Sequence, residues 1–475
     1  MFDSWWHWLS LAETLWVIGL SVWILFERRS PGSTLAWILA LSLLPIIGIA
    51  VYFVFGPRRF DRKKLRHSEA QEAAKRAGAQ PDDAEAQAPK ARHLIAQSEA
   101  AAGLPARART ADVDIYFSGR ETYAALEQAI AQACHHVHLE YYIWKPDRIG
   151  TRLRDRLAER AAAGVEVRVL VDGIGSAQAN ARFWKPLRAA GGRVEHFNPI
   201  SLRRLRPSLA NFRTHRKIVT IDGRVGFTGG VNVADIQTAQ FSGERAWRDT
   251  HLRLEGLAVR GLQMIFCEGW YYTTGEQLDG RAYFPATRLR PVAAHTVQVV
   301  ASGPDENRNA IHKLYLSAIT AARDRVLLTS PYFVPDESIL NALALASLRK
   351  VDVRVLVPAK NDEMLVGAAS RSYYPDLIDA GVKIFEYGPP MLHAKTLAVD
   401  DLVAIVGTAN VDARSFLLNF EVVVASYETL ACDVLAERFA LDLGNAGEVT
   451  PQTLASYSWR RRLGQNFARL LSSML

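Results

Sequence analysis

Two long apolar stretches open the chain, at residues 5–26 and 34–55. Each has about 20 predominantly apolar residues, the length that an α-helix needs to cross the hydrocarbon core of a bilayer. A cleavable signal peptide does not fit the first stretch, because it lacks a basic leading segment and a second apolar stretch follows at once. The pattern predicts a two-helix transmembrane segment over residues 1–58, with a buried core hairpin as the alternative.

The distribution of basic residues predicts how these helices are oriented. Six follow closely on the second stretch: Arg58, Arg59, Arg62, Lys63, Lys64 and Arg66. The turn between the two stretches holds Arg28 and Arg29. Because the heavier cluster of Lys and Arg stays in the cytoplasm, both termini and everything after residue 56 are expected on the cytoplasmic side. Residues 59–109 are predicted to be a basic juxtamembrane segment followed by an Ala- and Gln-rich tether.

From about residue 112 the pattern changes to apolar, β-branched runs that alternate with helical stretches. The first set comprises predicted strands at 137–143, 165–171 and 194–197, with a predicted helix at 151–163. The same order returns as predicted strands at 326–333, 351–357 and 382–387. A duplication of about 180 residues is too long for a solenoid. It predicts an α/β fold with two similar halves, at 110–290 and 291–450, whose mostly parallel sheets face each other across a pseudo-twofold axis.

Each half carries the motif H-x-K-x4-D: His215, Lys217 and Asp222 in the first, and His393, Lys395 and Asp400 in the second. A His and a Lys two residues apart on a strand point to the same face, because side chains alternate with period two. Two copies at equivalent places therefore predict one catalytic site with two imidazoles and two ammonium groups. The two aspartates are expected to point away from the histidines and to have a structural role at the interface between the halves.

Two histidines with two lysines suit the chemistry of a phosphodiester. The lysines would neutralise the non-bridging oxygens and stabilise the charge that builds at phosphorus. One histidine can attack phosphorus, while the other protonates the departing alcohol and then deprotonates the incoming one. A covalent intermediate of this kind permits transfer to an alcohol as well as to water. The residues require neither a metal nor a cofactor, and none is predicted.

Five further polar residues are expected to support this site: Asp249, Glu421, Asn232, Asn410 and Thr408. The two acids open predicted strands 34 and 28 residues after their histidines and are expected to orient the imidazoles. A surface acid at a strand end is the alternative. The two asparagines follow the turn after each motif and would donate hydrogen bonds to phosphate, or else cap that turn. Thr408 offers a hydroxyl near phosphate where the first half has Gly230.

The formal net charge of +8 predicts an anionic partner, which by charge alone is nucleic acid, phospholipid headgroups or phosphate esters. The apolar stretches favour a bilayer, and no clear stretch interleaves aromatic with basic residues as a binder of single strands does. No nucleic-acid partner is therefore predicted. Residues 451–475 are predicted to form a basic amphipathic helix, which would lie either on a membrane surface or against its own domain.

The duplicated motifs resemble those of the phospholipase D superfamily. HRKIVTIDGRVGFTGGVNVAD, from His215, and HAKTLAVDDLVAIVGTANVDARSFLLNFEV, from His393, are similar to the two motif regions of bacterial cardiolipin synthases. The segment ERRSPGSTLAWILALSLLPIIGIAVYFVFG resembles the two-helix membrane segment that precedes these enzymes. The resemblance covers essentially the whole chain except residues 67–109.

This resemblance implies a phosphatidyltransferase of the bacterial inner membrane, with its catalytic domain in the cytoplasm. Two phosphatidylglycerols would give cardiolipin and glycerol through a phosphohistidine. His215 is implied as the nucleophile and His393 as the general acid and base, and the phosphate ligands would be Lys217, Lys395, Asn232 and Asn410. A membrane-bound phospholipase D that hydrolyses phospholipid shares every catalytic residue and stays open, as does the less favoured nuclease-type phosphodiesterase.

Overall fold

The computed structural model describes residues 2–26, 31–43, 88–199, 211–285, 295–304 and 309–470. The chain divides into two units, one made of residues 1–59 with 200–211 and the other of residues 60–199 with 212–475. The first unit contains helices α1 Phe2–Phe26 and α2 Pro31–Leu43. Among the described residues, no helix combines the length and the apolar character needed to cross a membrane. Residues 44–55, which complete the second predicted span, lie outside the described residues.

The second unit is built on one large sheet, which has fifteen strands within the described residues. The strands of its N-terminal part are β1 Arg109–Tyr116, β2 His136–Tyr141, β3 Glu166–Asp172, β4 Arg193–Phe197, β5 Lys217–Ile221, β6 Val225–Gly229 and β7 His251–Gly256. Those of its C-terminal part, including the separate pair β10 and β15, are β8 His295–Ser302, β9 Arg325–Thr329, β10 Phe333–Val334, β11 Asp352–Pro358, β12 Lys383–Tyr387, β13 Thr396–Val399, β14 Val403–Gly407, β15 Val411–Asp412, β16 Glu421–Ser426 and β17 Ala446–Val449.

Helices connect these strands and cover the sheet. They are α3 Arg92–Ala102, α4 Gly119–Ala131, α5 Arg148–Ala162, α6 Lys185–Ala189, α7 Ala239–Ser242, α8 Val259–Thr274, α9 Ala310–Ala321, α10 Glu337–Leu348, α11 Met364–Arg371, α12 Tyr374–Asp379, α13 Ala413–Leu417, α14 Thr429–Leu443, α15 Pro451–Ala455 and α16 Trp459–Leu470. Several begin where the sequence supplies an N-cap, because a side-chain oxygen accepts an otherwise unpaired backbone N–H. Ser118, Asp147 and Asp336 do this for α4, α5 and α10.

The order of strands repeats on the two sides of the sheet. From the centre outward, one side runs β1-β7-β6-β5-β2-β3-β4 and the other β8-β16-β14-β13-β9-β11-β12. Equivalent positions hold equivalent strands, with β17 added beyond β12. The sides meet where β1 pairs antiparallel with β8, in the register Arg109 opposite Val297. This arrangement confirms two similar halves and joins their sheets into one.

The prediction of mostly parallel sheets is wrong. Among the described strands of the first half, β2–β3 and β3–β4 are parallel, whereas β2–β5, β5–β6, β6–β7 and β1–β7 are antiparallel. The reason lies in the short turn from Ile221 to Val225, since a connection of a few residues joins antiparallel neighbours and parallel neighbours need a long crossover. The helix-separated strands β2, β3 and β4 are the part that follows the predicted pattern.

The predicted tether ends earlier than the sequence indicated. Residues 92–102 form α3, and Leu94 and Ile95 are buried in the hydrophobic core of the second half. The buried Gln298 amide donates to the carbonyl oxygen of Ile95 at 3.1 Å and to that of Ala106 at 2.8 Å. This Ala-rich segment is therefore a folded part of the second half, because its apolar residues recur at helical spacing and find a partner surface.

Within the described residues, three large apolar clusters hold the second unit together. One fills the first half between β2, β3 and the helices α4 and α5, and one fills the second half around β9, β11 and α9. The third contains residues of both halves, including Leu252 and Leu254 from β7 with Val422 and Val424 from β16. This third cluster fixes the two halves against each other, so the loops that cross the seam are held by a shared core.

Candidate active site

His215 lies in a short extended segment that pairs across the seam with the second half. Its backbone N–H donates to the carbonyl oxygen of Phe420 at 2.9 Å, and the Phe420 N–H donates to the carbonyl oxygen of Arg213 at 2.9 Å. This pairing forms a parallel bridge between Thr214 and Phe420. The residue after Phe420 is Glu421, which opens β16. Backbone pairing between the halves therefore brings this acid beside the histidine of the opposite half.

The second histidine is held by the equivalent pairing. The His393 N–H donates to the carbonyl oxygen of Arg248 at 2.7 Å, and the Arg248 N–H donates to the carbonyl oxygen of Met391 at 2.9 Å. A parallel bridge joins Arg248 to Leu392. Asp249 follows directly in the chain, so this acid too lies beside the histidine of the other half.

Each imidazole donates its Nδ1–H to one of these carboxylates. His215 Nδ1 lies 2.9 and 3.0 Å from the two carboxylate oxygens of Glu421. His393 Nδ1 lies 2.7 Å from Oδ2 of Asp249. Both acids are fully buried, and the histidines are 8% and 5% exposed. A carboxylate at Nδ1 fixes the tautomer in which Nε2 carries the lone pair, the form that a nucleophile or general base needs.

The predicted lysines are buried beside their histidines. Lys217 Nζ donates to the carbonyl oxygen of His215 at 2.8 Å, and Lys395 Nζ lies 3.1 Å from Nε2 of His393. Burial, together with the positive charge of Lys395, lowers the pKa of Lys217 to about 7. Burial likewise lowers the pKa of Lys395 to about 8, against the pull of the nearby carboxylates. Two cations held in one buried place provide a positive site for a phosphate group.

Burial also controls the protonation of the histidines and the acids. It lowers the pKa of His215 to about 4, an effect that Glu421 opposes, and it lowers the pKa of His393. Burial alone would raise the pKa of Glu421 and Asp249, but the interactions of each carboxylate with the neighbouring histidine and lysine outweigh it and hold each pKa below its usual value. The empty site at neutral pH therefore holds neutral imidazoles against ionised carboxylates.

An aromatic ring borders each imidazole. The ring centroid of Tyr142 lies 4.9 Å from that of His215, edge to face, and the centroid of Trp247 lies 5.0 Å from that of His393. Tyr142 also lies beneath Lys217, whose Nζ is 5.6 Å from the ring centroid. Sequence reasoning missed both rings, although they stand in the runs HLEYYIW and WRD that bracket the first motif.

Asn232 and Asn410 lie at equivalent places in the two halves and are buried. Within the described residues, the Oδ1 atom of each has no hydrogen-bond partner. A buried unpaired amide oxygen is unfavourable unless a ligand or water meets it. These oxygen atoms are therefore available to accept a hydrogen bond from a bound group, whereas donation to phosphate, the role expected from the sequence, stays a prediction. In the same described part of the chain, no three His, Cys, Asp or Glu side chains come together as metal ligands.

The Thr408 hydroxyl is hydrogen-bonded to the acid that binds His215. The hydroxyl donates to Glu421, and it accepts the backbone N–H of Val422 at 3.0 Å. Gly230 is the equivalent residue in the first half, where a Cβ atom would lie 1.9 Å from Oδ1 of Asp249. The two halves thus hold their acids differently, because Glu421 leaves room for a threonine and Asp249 requires a glycine.

Asp222 and Asp400 lie at the far ends of the motif strands and within their own halves, not at the interface between the halves. Asp222 accepts the backbone N–H groups of Cys134, His135 and His136 at 2.8 to 2.9 Å. Asp400 accepts the backbone N–H groups of Arg323 and Asp324, which precede β9, and of Arg325, its first residue. Both have a positive φ, 53° and 50°, which aspartate tolerates better than most residues. Their role is to fix the turn that precedes a central strand.

Two buried ion pairs anchor the segments that cross the seam. Arg213 pairs with Asp172, with an NH2 to Oδ1 distance of 2.9 Å, and Arg248 pairs with Asp442 at 2.6 Å. The backbone of each arginine is part of the pairing that positions a histidine. Sequence reasoning missed both pairs, because their partners lie 41 and 194 residues apart in the chain.

Fold and site together define a class of protein. Two α/β halves each supply an H-x-K strand to one seam, where each histidine is bound by an acid from the other half. A chain built in this way is a two-domain phospholipase D-like enzyme, whose site is suited to a phosphodiester.

Comparison with known proteins makes this class more specific. The family described as "Cardiolipin synthase, PLD-like domain" matches residues 126–244 and 315–443, and the family "Phospholipase_D-nuclease N-terminal" matches residues 14–57. Cardiolipin synthase 1 of Bacillus cereus is 38% identical over 482 residues, covering 98% of this chain and 94% of that protein. The cardiolipin synthase of Alkalihalophilus pseudofirmus is 38% identical over 475 residues, with the same coverage. The chain belongs to the cardiolipin synthase family of phospholipase D-like enzymes.

A solved structure supports the fold. The crystal structure of phosphatidylserine synthase from Haemophilus influenzae Rd KW20 matches with a TM-score of 0.59 and 16% identity, covering 81% of this chain and all of that one. At this identity the match shows a shared fold.

Proposed function

We propose that this protein transfers a phosphatidyl group from one phosphatidylglycerol to another, giving cardiolipin and glycerol. The observation that carries the proposal is the crossed arrangement of His215 with Glu421 and His393 with Asp249. It gives one site two imidazoles that are both ready to act through Nε2. The names of the relatives, all cardiolipin synthases, supply the substrate class.

In the first step His215 Nε2 attacks phosphorus, and the bond from phosphorus to the glycerol oxygen breaks. His393 gives its Nε2 proton to that oxygen, so that glycerol leaves and a phosphatidyl-histidine remains. In the second step His393 takes the proton from a hydroxyl of the second phosphatidylglycerol, and that oxygen displaces His215 from phosphorus. Each histidine is restored and no proton is lost.

The charges of the site favour these steps. Burial lowers the pKa of both Lys217 and Lys395. A phosphodiester anion between the two side chains supplies negative charge that favours their protonated forms. The same anion raises the pKa of the nearby imidazoles, so His393 can hold the proton that the leaving group requires. The Oδ1 atoms of Asn232 and Asn410 are available to accept hydrogen bonds from hydroxyl groups of the glycerol headgroup.

The proposal includes attachment to the bacterial inner membrane through residues 5–55. Support comes from the two apolar stretches and from the family match over residues 14–57. The basic cluster from Arg58 to Arg66 supports a cytoplasmic position for the residues that follow. If attachment holds, the protein stays in the membrane pellet after alkaline carbonate extraction, and a reporter fused at Leu475 is active in the cytoplasm.

Purified full-length protein in detergent, supplied with phosphatidylglycerol, tests the reaction. Mass spectrometry of the lipids should show cardiolipin, with glycerol released in equal amount. Phosphatidic acid as the only product would instead establish hydrolysis, and no turnover would contradict both reactions. His215→Ala should abolish turnover, whereas the exposed His93→Ala serves as a matched control and should retain it. Near-full activity in His215→Ala would overturn the two-histidine mechanism.

A further inference from the structure

Helix α16 is fixed to the second half by one of its faces. Ala468 is buried in a small cluster with Val366 and Ala369 of α11. Arg469 extends this contact, because its guanidinium lies 4.4 Å from the ring centroid of Tyr373 and 3.2 Å from Asp376. The helix therefore packs against its own domain, which is one of the two positions predicted from the sequence.

The opposite face of α16 is apolar and exposed. Its four large side chains are between 61% and 76% exposed, and they are Trp459, Leu463, Phe467 and Leu470. Spacings of four, four and three residues place them on one side of the helix, within an arc of about 80°. Nothing in the described part of the chain covers this face. We name these four residues the α16 apolar face.

The charged residues beside the α16 apolar face indicate which kind of surface this face can bind. Arg460, Arg461 and Arg462 are exposed on the same helix, and the helix contains no acidic residue. A helix with one apolar stripe bordered by arginines lies in the interface of a bilayer, with its apolar side chains among the acyl chains. Its cations attract anionic headgroups.

Helix α11, on which α16 packs, is connected to the segment that carries Asn410. At the start of α11 the side chain of Met364 is 88% exposed, and just before it the Asn361 amide donates to the carbonyl oxygen of Pro331 at 2.8 Å. The neighbouring Ser330 hydroxyl accepts the N–H of Val411, the residue next to Asn410. The helix pair α11–α16 is thus joined by short contacts to the segment that carries Asn410.

We propose that the α16 apolar face, with Met364, docks on an anionic phospholipid bilayer and holds the catalytic end of the second half at its surface. The inference rests on the proposed function only in taking membrane lipid as the substrate. Docking of this kind would let a lipid enter the site from the bilayer without full transfer through water. Because α16 carries three exposed arginines and no acidic residue, a bilayer rich in phosphatidylglycerol is a better match than a zwitterionic one.

Lipid contact can be measured on the full-length chain in lipid nanodiscs. Cys134 is the exposed thiol among the three cysteines, so Cys134→Ser leaves Cys267 and Cys432, both buried. In that background Phe467→Cys carries a fluorophore, and Leu345→Cys on α10, also exposed and apolar, is the matched control. In nanodiscs of phosphatidylglycerol with acyl-chain spin labels, fluorescence at 467 should be quenched at least about threefold more than at 345.

The outcomes of this measurement are distinct. Strong quenching at 467 that weakens in phosphatidylcholine nanodiscs supports docking on anionic lipid. Equal quenching at 467 and 345 would overturn the proposal. Protection at 467 from both spin-labelled lipid and aqueous quencher would also overturn it, because a protein partner or a second copy would then cover the face.

Enzyme activity on bilayer and on monomeric phosphatidylglycerol distinguishes a defect in membrane docking from a defect in the reaction itself. The double variant Leu463→Ser/Phe467→Ser should lose about tenfold in turnover of phosphatidylglycerol in bilayers, because fewer molecules hold the site at the surface. Turnover of a short-chain phosphatidylglycerol dissolved as monomers should be unchanged. An equal loss on both substrates would contradict docking, and no turnover of either lipid by the unmodified protein would contradict the proposed function instead.

Discussion

Glu421 of the second half binds Nδ1 of His215 in the first half, with oxygen to nitrogen distances of 2.9 and 3.0 Å. Asp249 makes the reciprocal contact to His393 at 2.7 Å. Neither histidine is oriented by an acid of its own half. Each half therefore supplies one histidine and the acid that binds the histidine of the other half, and neither half alone contains a complete histidine–acid pair.

Substitution of the two acids should separate the two steps of the reaction. With phosphatidyl-p-nitrophenol, whose leaving group needs no proton, Glu421→Gln should slow formation of the phosphatidyl-enzyme by about 10²- to 10⁴-fold. The Asp249→Asn variant should form that adduct at a near-normal rate. It should transfer the phosphatidyl group to the second phosphatidylglycerol slowly, because His393 then activates the acceptor hydroxyl poorly. Rapid-quench measurement of p-nitrophenol, with mass spectrometry of the protein, follows both steps. The exposed Asp112→Asn is the control, and the reverse pattern would exchange the roles of the histidines.

Activity should decline as pH rises above neutrality. Lys217 has a pKa of about 7 and Lys395 a pKa of about 8, so the free enzyme loses its positive site as pH passes through that range. We expect kcat/KM for phosphatidylglycerol to fall there, whereas kcat should fall at higher pH, because the bound anion raises both values. Lys217→Arg keeps a charge that does not titrate in this range, so its remaining activity should decline less steeply. An unchanged profile in that variant would show that Lys217 does not set the alkaline limb.

Lys217→Met should stabilise the empty protein while abolishing activity. The folded state holds Lys217 with a pKa of about 7, below the unfolded value, so folding is penalised most below pH 7. Between the folded and the unfolded pKa, the unfolded chain keeps a proton that the folded protein has lost. The free energy of unfolding of the wild type therefore increases as pH rises through this range. Removal of the buried charge should therefore raise the free energy of unfolding by about 1–3 kcal/mol at pH 6, with a smaller gain at pH 9. Denaturant unfolding at the two pH values measures this, and destabilisation at pH 6 would refute the prediction.

Gly230→Ala should damage the site although it adds a single methyl group. The new Cβ would lie 1.9 Å from Oδ1 of Asp249, so the carboxylate must move away from His393. A displacement of about 1 Å in a positioning group can lower kcat about 10²-fold. Gly447→Ala, on the edge strand β17 with no heavy atom within 4 Å of the added Cβ, is the matched control. Full activity in Gly230→Ala would mean that the position of Asp249 is not critical.

Asp222→Ala should lower stability with little direct effect on chemistry. Three backbone N–H groups lose their acceptor, and hydrogen bonds to a charged group contribute about 1.5–3 kcal/mol each at most. Burial raises the pKa of Asp222, but the three N–H donors outweigh it and the net pKa is lowered. Its stabilisation is therefore present above the unfolded pKa and lost as pH falls through the lower folded value. Thermal unfolding should show a lower Tm, while kcat of the folded fraction at 20 °C stays near that of the wild type; a large loss of kcat would point to a catalytic role.

The sequence by itself determined the duplication, the central strands and the two H-x-K motifs. Strands β3 and β11 follow the runs VEVRVLV and VDVRVLV closely, because a buried strand is specified by its own apolar residues. The pairing of His with Lys in each candidate motif follows as readily, since their spacing within the motif is local.

The tertiary structure alone decided which acid meets which histidine, where Thr408 points, and that residues 92–102 belong to the core. His215 and Glu421 are 206 residues apart, and nothing in either local pattern states that Phe420 pairs with Thr214 across the seam. The contact depends on two separate strand systems being joined through β1 and β8 into one sheet with a shared apolar cluster. Local periodicity fixes the direction of a side chain along its own strand, whereas the partner it meets is set by packing between distant segments.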